Sequence, residues 1–93
     1  MKILHLTLKK RWFDMILSGE KKEEYREIKP YWEGRLYNKS FDIVRFKNGY
    51  SKNVPTFDIE CIRIRIGYGI DNWGGIGTER YYVIELGNLI KKL

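Results

Sequence analysis

The chain has 93 residues, 43% of them hydrophobic and 15% aromatic, with a net charge of +6. That length makes one domain, residues 1–93, able to bury about 65% of its unfolded surface without disulfide or metal staples. One cysteine, Cys61, excludes an internal disulfide framework and a multi-cysteine zinc site, and one histidine, His5, leaves a histidine metal site dependent on carboxylates.

The opening MKILHLTLKKRW places a charge before a short apolar run. It lacks the longer apolar core and small-residue cleavage site of a signal peptide, and no segment approaches a membrane span, so the chain reads as intracellular, in the cytoplasm. Residues 3–8, ILHLTL, are β-like, with His5 expected as a satisfied core histidine. Residues 9–19 switch to helical spacing: Leu8, Trp12 and Ile16 form one ridge, Phe13 and Leu17 the next, with Trp12 and Phe13 expected in the core. Thr7 is placed to cap the start, and Ser18-Gly19 ends the helix at a residue free to take positive φ. Residues 20–29 carry four acidic and four basic side chains, and their Lys/Glu content alone favours helix or loop. In KPYWEGRL, Pro30 suits a first helical turn and Trp32/Leu36 share a face, so a short helix is predicted.

The second half alternates like a sheet. In residues 41–47 Val44 and Phe46 share a face. KNGYSKN (47–53) predicts a hairpin turn at Asn-Gly. Over 57–68, Ile62, Ile64 and Ile66 are expected on one face and Arg63 and Arg65 on the other, with Cys61 a small core filler. Over 80–87, Tyr82, Ile84 and Leu86 alternate with Tyr81, Val83 and Glu85. Between these strands GYGIDNWGGIG, with five glycines, reads as a barrel-mouth hairpin or as a base-stacking finger tipped by an exposed Trp73. It has neither the spacing of a dinucleotide fingerprint nor the Gly-Lys-Ser/Thr of a phosphate loop. The fold class expected is α+β, mostly β: a small, partly closed barrel of about five strands with two short helices.

The positive charge is uneven: residues 1–13 hold four Lys/Arg and no acid, and residues 35–65 hold seven against three acids. Phosphates attract cations and unstacked bases attract flat rings, so this balance together with the aromatic content points toward nucleic acid. Lys9, Lys10, Arg11, Lys47, Lys52, Arg63 and Arg65 are the candidate phosphate contacts.

The segment LTLKKRWFDMILSGEKKEEYREIKPYWEGRL resembles the ASCH domain, a member of the PUA-like superfamily of small β-barrels associated with RNA. The family hallmark G-x-K-x-x-E-x-R reads here as Gly19, Lys21, Glu24 and Arg26, and FKNGY, NVPTF and YYVIELG look like compact ASCH proteins of bacteria and their viruses. The resemblance implies that 20–27 is a strand bordering the family's cleft. A regular strand puts Glu24 and Arg26 on one side as a pair, and gives Lys21 the opposite parity unless a bulge follows Gly19. Such a pair either plugs the barrel mouth or reads a ligand. The leading expectation is an RNA, nucleotide or nucleoside site formed by Lys21, Glu24, Arg26, Asn48, Tyr50 and Trp73, with no cofactor and no metal. The alternative is a hydrolase of a modified nucleoside or RNA with Lys21 and Glu24 catalytic. There the family's threonine nucleophile is replaced by Glu24, and Ser18 and Thr78 are candidate substitute hydroxyls that nothing in the sequence places near it. A protein-interaction module is the third class.

Overall fold

A computed structural model describes residues 1–93. Strand β1 (Ile3–Leu8) leads into helix α1 (Lys10–Leu17), then strand β2 (Glu23–Arg26) and helix α2 (Pro30–Leu36). Strands β3 (Ile43–Asn48), β4 (Thr56–Tyr68) and β5 (Arg80–Lys92) follow, with a single 3-10 turn at Asp71–Trp73. The five strands form one sheet in the order β1-β3-β4-β5-β2. Only β1 and β3 run parallel; the other neighbours are antiparallel. The sheet curls into a partly closed barrel, and β1 and β2 are the two edges that do not pair with each other.

Alternation decides what each strand buries. In β1, Leu4, Leu6 and Leu8 face the core, joined there by Val44 and Phe46 of β3 and by Phe57, Ile59 and Cys61 of β4. The same parity corrects the reading of His5, which is exposed between two buried leucines. Helix α1 closes one end of the core with Phe13 and Ile16, the Phe13 ring meeting Phe57 edge-on at 4.8 Å. Trp12 is only half-buried, at the rim of that core. Thr7 does not cap α1, because it is still paired with Lys47 in the sheet; the cap position is Lys9, with no side-chain bond. Gly19 ends the helix at φ +87, a conformation that suits glycine. Pro30 opens α2, and Leu36 is its buried anchor.

Two departures lie in the long strands. The β4–β5 register shifts between Asp58 and Arg63, so the inward parity of Phe57, Ile59 and Cys61 is inverted by the time Ile64 packs on the core. Ile62 and Ile66 are left exposed, so of the three isoleucines expected on one face only Ile64 packs on the core. Strand β5 runs past residue 87 to Lys92, its second half pairing with Phe57–Ile59. It is buried on both faces over 81–84: Tyr82 and Ile84 join the main core, while Tyr81 and Val83 form a second cluster with Tyr25 and the half-buried Trp73.

The seam between β1 and β2 is closed by side chains. Arg26 Nη2 donates to Thr7 O at 3.2 Å and Arg35 Nη2 donates to His5 O at 3.4 Å, covering β1 carbonyls that no strand satisfies. Elsewhere Arg45 and Asp58 pair face to face across β3–β4 at 2.7 and 2.9 Å. The Arg45 hydrogen bonds hold the Asp58 carboxyl below its ordinary value, against the opposing effect of burial. A lowered folded-state value means that the unfolded chain binds the proton more readily. The stabilisation is therefore full above the ordinary carboxylate range near pH 4 and is lost as pH falls further. Asp58→Asn is expected to lower the urea midpoint at about pH 7 and to lie much closer to wild type at about pH 3. An equal gap at both pH values would contradict that coupling.

Candidate functional site

A cleft of about 620 Å³ opens where β1 and β2 diverge. One wall is the β1–α1 junction from Thr7 to Lys10 together with Trp12; the other is β2 from Glu24 to Arg26; the rim is the turn Asn48–Tyr50. Each wall follows from a local feature. Lys9 is the extended residue that turns the chain from strand to helix, so Lys9 and Lys10 stand at the lip. The Asn48-Gly49 corner starts the β3–β4 connection and leaves Tyr50 93% exposed.

Glu24 is the electrostatic centre, only 7% exposed. Its Oε2 accepts from Arg26 Nη2 at 2.7 Å and its Oε1 lies 3.3 Å from Lys21 Nζ. The pairing expected of Glu24 and Arg26 is present. The parity argument about Lys21 does not apply, because Lys21 precedes β2 and is tied to α1 by its amide, which donates to Met15 O at 2.9 Å. Lys21 is 2% exposed, with its ammonium 5.2 Å from the Trp12 ring centre and 4.7 Å from that of Tyr25. It also donates to the Trp73 carbonyl. Burial pulls the Lys21 ammonium below the ordinary lysine value, although Glu24 acts in the opposite direction.

Lys21 therefore lies behind the cleft, screened by Trp12 and Tyr25, and is not part of its lining. Trp73 is no exposed finger. Its loop folds back over Lys21, and Trp73 itself packs on Tyr25, Tyr81 and Val83. Gly74 makes that return possible: its φ is +90, and a Cβ there would come within 2.8 Å of the Trp12 ring.

The remaining candidates divide in two. Lys9, Lys10, Glu24, Arg26, Asn48 and Tyr50 meet in the cleft. Arg11 is exposed on α1 with its guanidinium 4.6 Å from the Trp12 ring centre, and Lys47 and Lys52 are exposed on either side of Tyr50. Arg63 and Arg65 belong to another group. Glu85 accepts from Arg63 at 2.7 Å and from Arg65 at 2.5 Å, and Arg65 continues to Glu23 at 3.0 Å. Burial alone would raise the Glu85 carboxyl, but the two arginines reverse that and hold it below its ordinary value. Both arginines are paired with acids of neighbouring strands, which sets them apart from the cations of the cleft.

Sequence reasoning missed Thr7, Trp12 and Tyr25 as cleft residues. Trp12 carried one usable signal: an indole directly after a Lys-Lys-Arg run is a flat ring beside cations. The substitute hydroxyls do not reach the site. Ser18 Oγ donates back to Met15 O at 3.1 Å, and Thr78 is exposed in the β4–β5 loop, outside the cleft lining. Both oxygens of Glu24 face a cation, so neither is left free within the cleft. No three His, Cys, Asp or Glu side chains converge as metal ligands, and no helix is long and apolar enough to cross a membrane. The chain matches no protein-family model, and no curated protein or solved structure shows significant similarity to it.

Proposed function

We propose that this domain is a cytoplasmic nucleic-acid-binding module of the ASCH, PUA-like type, taking RNA or its nucleotides in the cleft between β1 and β2. The observation that carries the reading is the make-up of that cleft: Lys9, Lys10 and Arg26 surround the exposed Tyr50 ring and the half-buried edge of Trp12 in a volume of about 620 Å³. That volume lies within the usual range for small-ligand sites, about 300–1,000 Å³. The cations outnumber the acids, because Glu24 is already shared by Arg26 and Lys21. A phosphate finds donors at the lip, a base finds a ring to stack on, and the Asn48 amide offers a donor and an acceptor to a base edge. The G-x-K-x-x-E-x-R resemblance supports the same reading.

The test is a thermal-shift series with nucleoside 5′-monophosphates. Ligand at a hundred times its Kd adds about 2.7 kcal/mol of stability, which for a chain of this length raises Tm by roughly 10–20 °C. Lys9→Ala and Tyr50→Ala change exposed side chains, so they should leave the ligand-free Tm in place and reduce the shift. No shift with any nucleotide, or a shift that both variants retain in full, would refute the proposal.

A further inference from the structure

We infer that the site does not end at the cleft: Arg26, Tyr31, Trp32 and Arg35 form a strip along the β1–β2 seam that holds the next nucleotides of a single-stranded RNA. This rests on the nucleotide-binding reading of the cleft and extends it.

The strip starts inside the cleft, because Arg26 belongs to both. The Arg26 guanidinium lies 4.9 Å from the Trp32 ring centre and that of Arg35 lies 5.4 Å from it, so both arginines flank one indole. Tyr31 stands edge-on to Trp32 at 4.9 Å, and its hydroxyl accepts from Arg35 Nη1 at 3.2 Å. Cations and rings alternate along a line, the pattern that sequence-tolerant single-strand binders use to hold phosphates and stack bases.

Closing the seam accounts for only part of this. Covering the carbonyls of His5 and Thr7 needs one N–H from each arginine, and a guanidinium carries five. Arg35 bonds only neutral oxygens, the Tyr31 hydroxyl and the His5 carbonyl, so its charge is left uncompensated. Arg26 Nε is buried with no partner at all. Tyr31 is 64% exposed although it stands in an aromatic pair. The spare Arg35 donors, its uncompensated charge and the open Tyr31 ring are what a nucleotide step supplies with acceptors, negative charge and a base.

The spacing agrees. His5 and Thr7 are two residues apart on one strand, so the carbonyls that anchor the two guanidinium groups lie about 6.7 Å apart, on the scale of one step of an extended polynucleotide. One nucleotide occupies the cleft, the following phosphate meets Arg26, and the next meets Arg35 with its base against Tyr31. The Arg63–Glu85–Arg65–Glu23 ladder has rows of cations too, but its charges are matched by acids.

The experiment measures affinity for a nucleoside 5′-monophosphate and for single-stranded oligoribonucleotides of two, three and four residues. It compares wild type with Tyr31→Ala and Arg35→Gln, each first checked for an unchanged circular-dichroism spectrum. Wild type should bind the trinucleotide about a hundredfold more tightly than the mononucleotide and gain little from the fourth residue. Each variant should lose about tenfold on the trinucleotide and nothing on the mononucleotide. A trinucleotide bound no more tightly than the mononucleotide, or unaffected by both variants, overturns the inference and leaves the cleft reading standing. No mononucleotide binding overturns both. Should Arg35→Gln fail to fold, Tyr31→Ala decides the matter, because that ring is largely exposed.

Discussion

Glu24→Ala is expected to destabilise the domain by about 3–5 kcal/mol, the effect of stranding a buried charge by removing its partner. The stranded charge is Lys21, whose side chain is 1% exposed and whose only carboxylate within ion-pair reach is Glu24. The Trp73 carbonyl and the faces of Trp12 and Tyr25 remain, but none carries a formal negative charge. Against a total stability of about 5–15 kcal/mol for a small domain, that loss brings the fold close to its limit. Lys21→Met alone should cost less, because Glu24 keeps Arg26. The double variant Lys21→Met, Glu24→Gln should be more stable than Glu24→Ala, since the buried charge is gone and glutamine keeps one acceptor for Arg26. Urea denaturation of the three variants measures the order. A Glu24→Ala variant within about 1 kcal/mol of wild type would mean that Lys21 is hydrated and the triad does not hold the fold.

A binding assay on Glu24 variants therefore reads stability as well as recognition. Lys9, Lys10 and Tyr50 separate the two, because they are exposed and lie at the lip.

The salt dependence of RNA binding is the second large effect. Each phosphate neutralised on a single strand contributes about −0.7 to the slope of log K against log salt. Contacts from Lys9, Lys10, Arg26 and one hairpin lysine predict a slope of about −3. Replacing Lys9 and Lys10 together by alanine should flatten it by about 1.4. Lys10 keeps an exposed pair with Asp14 at 2.5 Å, but such pairs are worth little and yield to a phosphate. Replacing Arg63 and Arg65 by alanine should leave the slope unchanged and lower the urea midpoint instead, since it removes the partners of Glu85 and Glu23. A slope that responds to Arg63 and Arg65 but not to Lys9 and Lys10 would place the phosphates on the wrong side of this account.

What was legible in the chain was what local chemistry decides. Gly19 and Pro30 mark a helix end and a helix start by their backbone preferences alone, and the alternation of Val44 and Phe46 gives a buried face. The break at Gly19 announces a new element, and the strand expected over 20–27 forms only over Glu23–Arg26: Lys/Glu content opposes a strand, and pairing with β5 imposes one where it reaches. What was hidden depends on partners distant in sequence. Trp73 lies 52 residues from the ammonium its carbonyl receives, so nothing near either residue announces that the loop folds inward. The parity change in β4 comes from its register against β5, and an alternating run of Ile and Arg reads the same with or without it. Arg63 and Arg65 looked free because Glu85 and Glu23 belong to other strands. His5 departs from expectation for a simpler reason: the apolar run alternates, with Leu4, Leu6 and Leu8 on the buried face and His5 on the other.

The central claim is that ligand sits between β1 and β2, and amide chemical-shift mapping tests it most directly. The folded domain is titrated with a nucleoside 5′-monophosphate while the 15N–1H spectrum is followed. The largest shifts are expected at Lys9–Trp12, Glu24–Arg26 and Asn48–Tyr50, together with the Arg26 Nε–H resonance. Shifts concentrated instead on Arg63–Arg65 and Glu85, with the cleft residues unmoved, would contradict it.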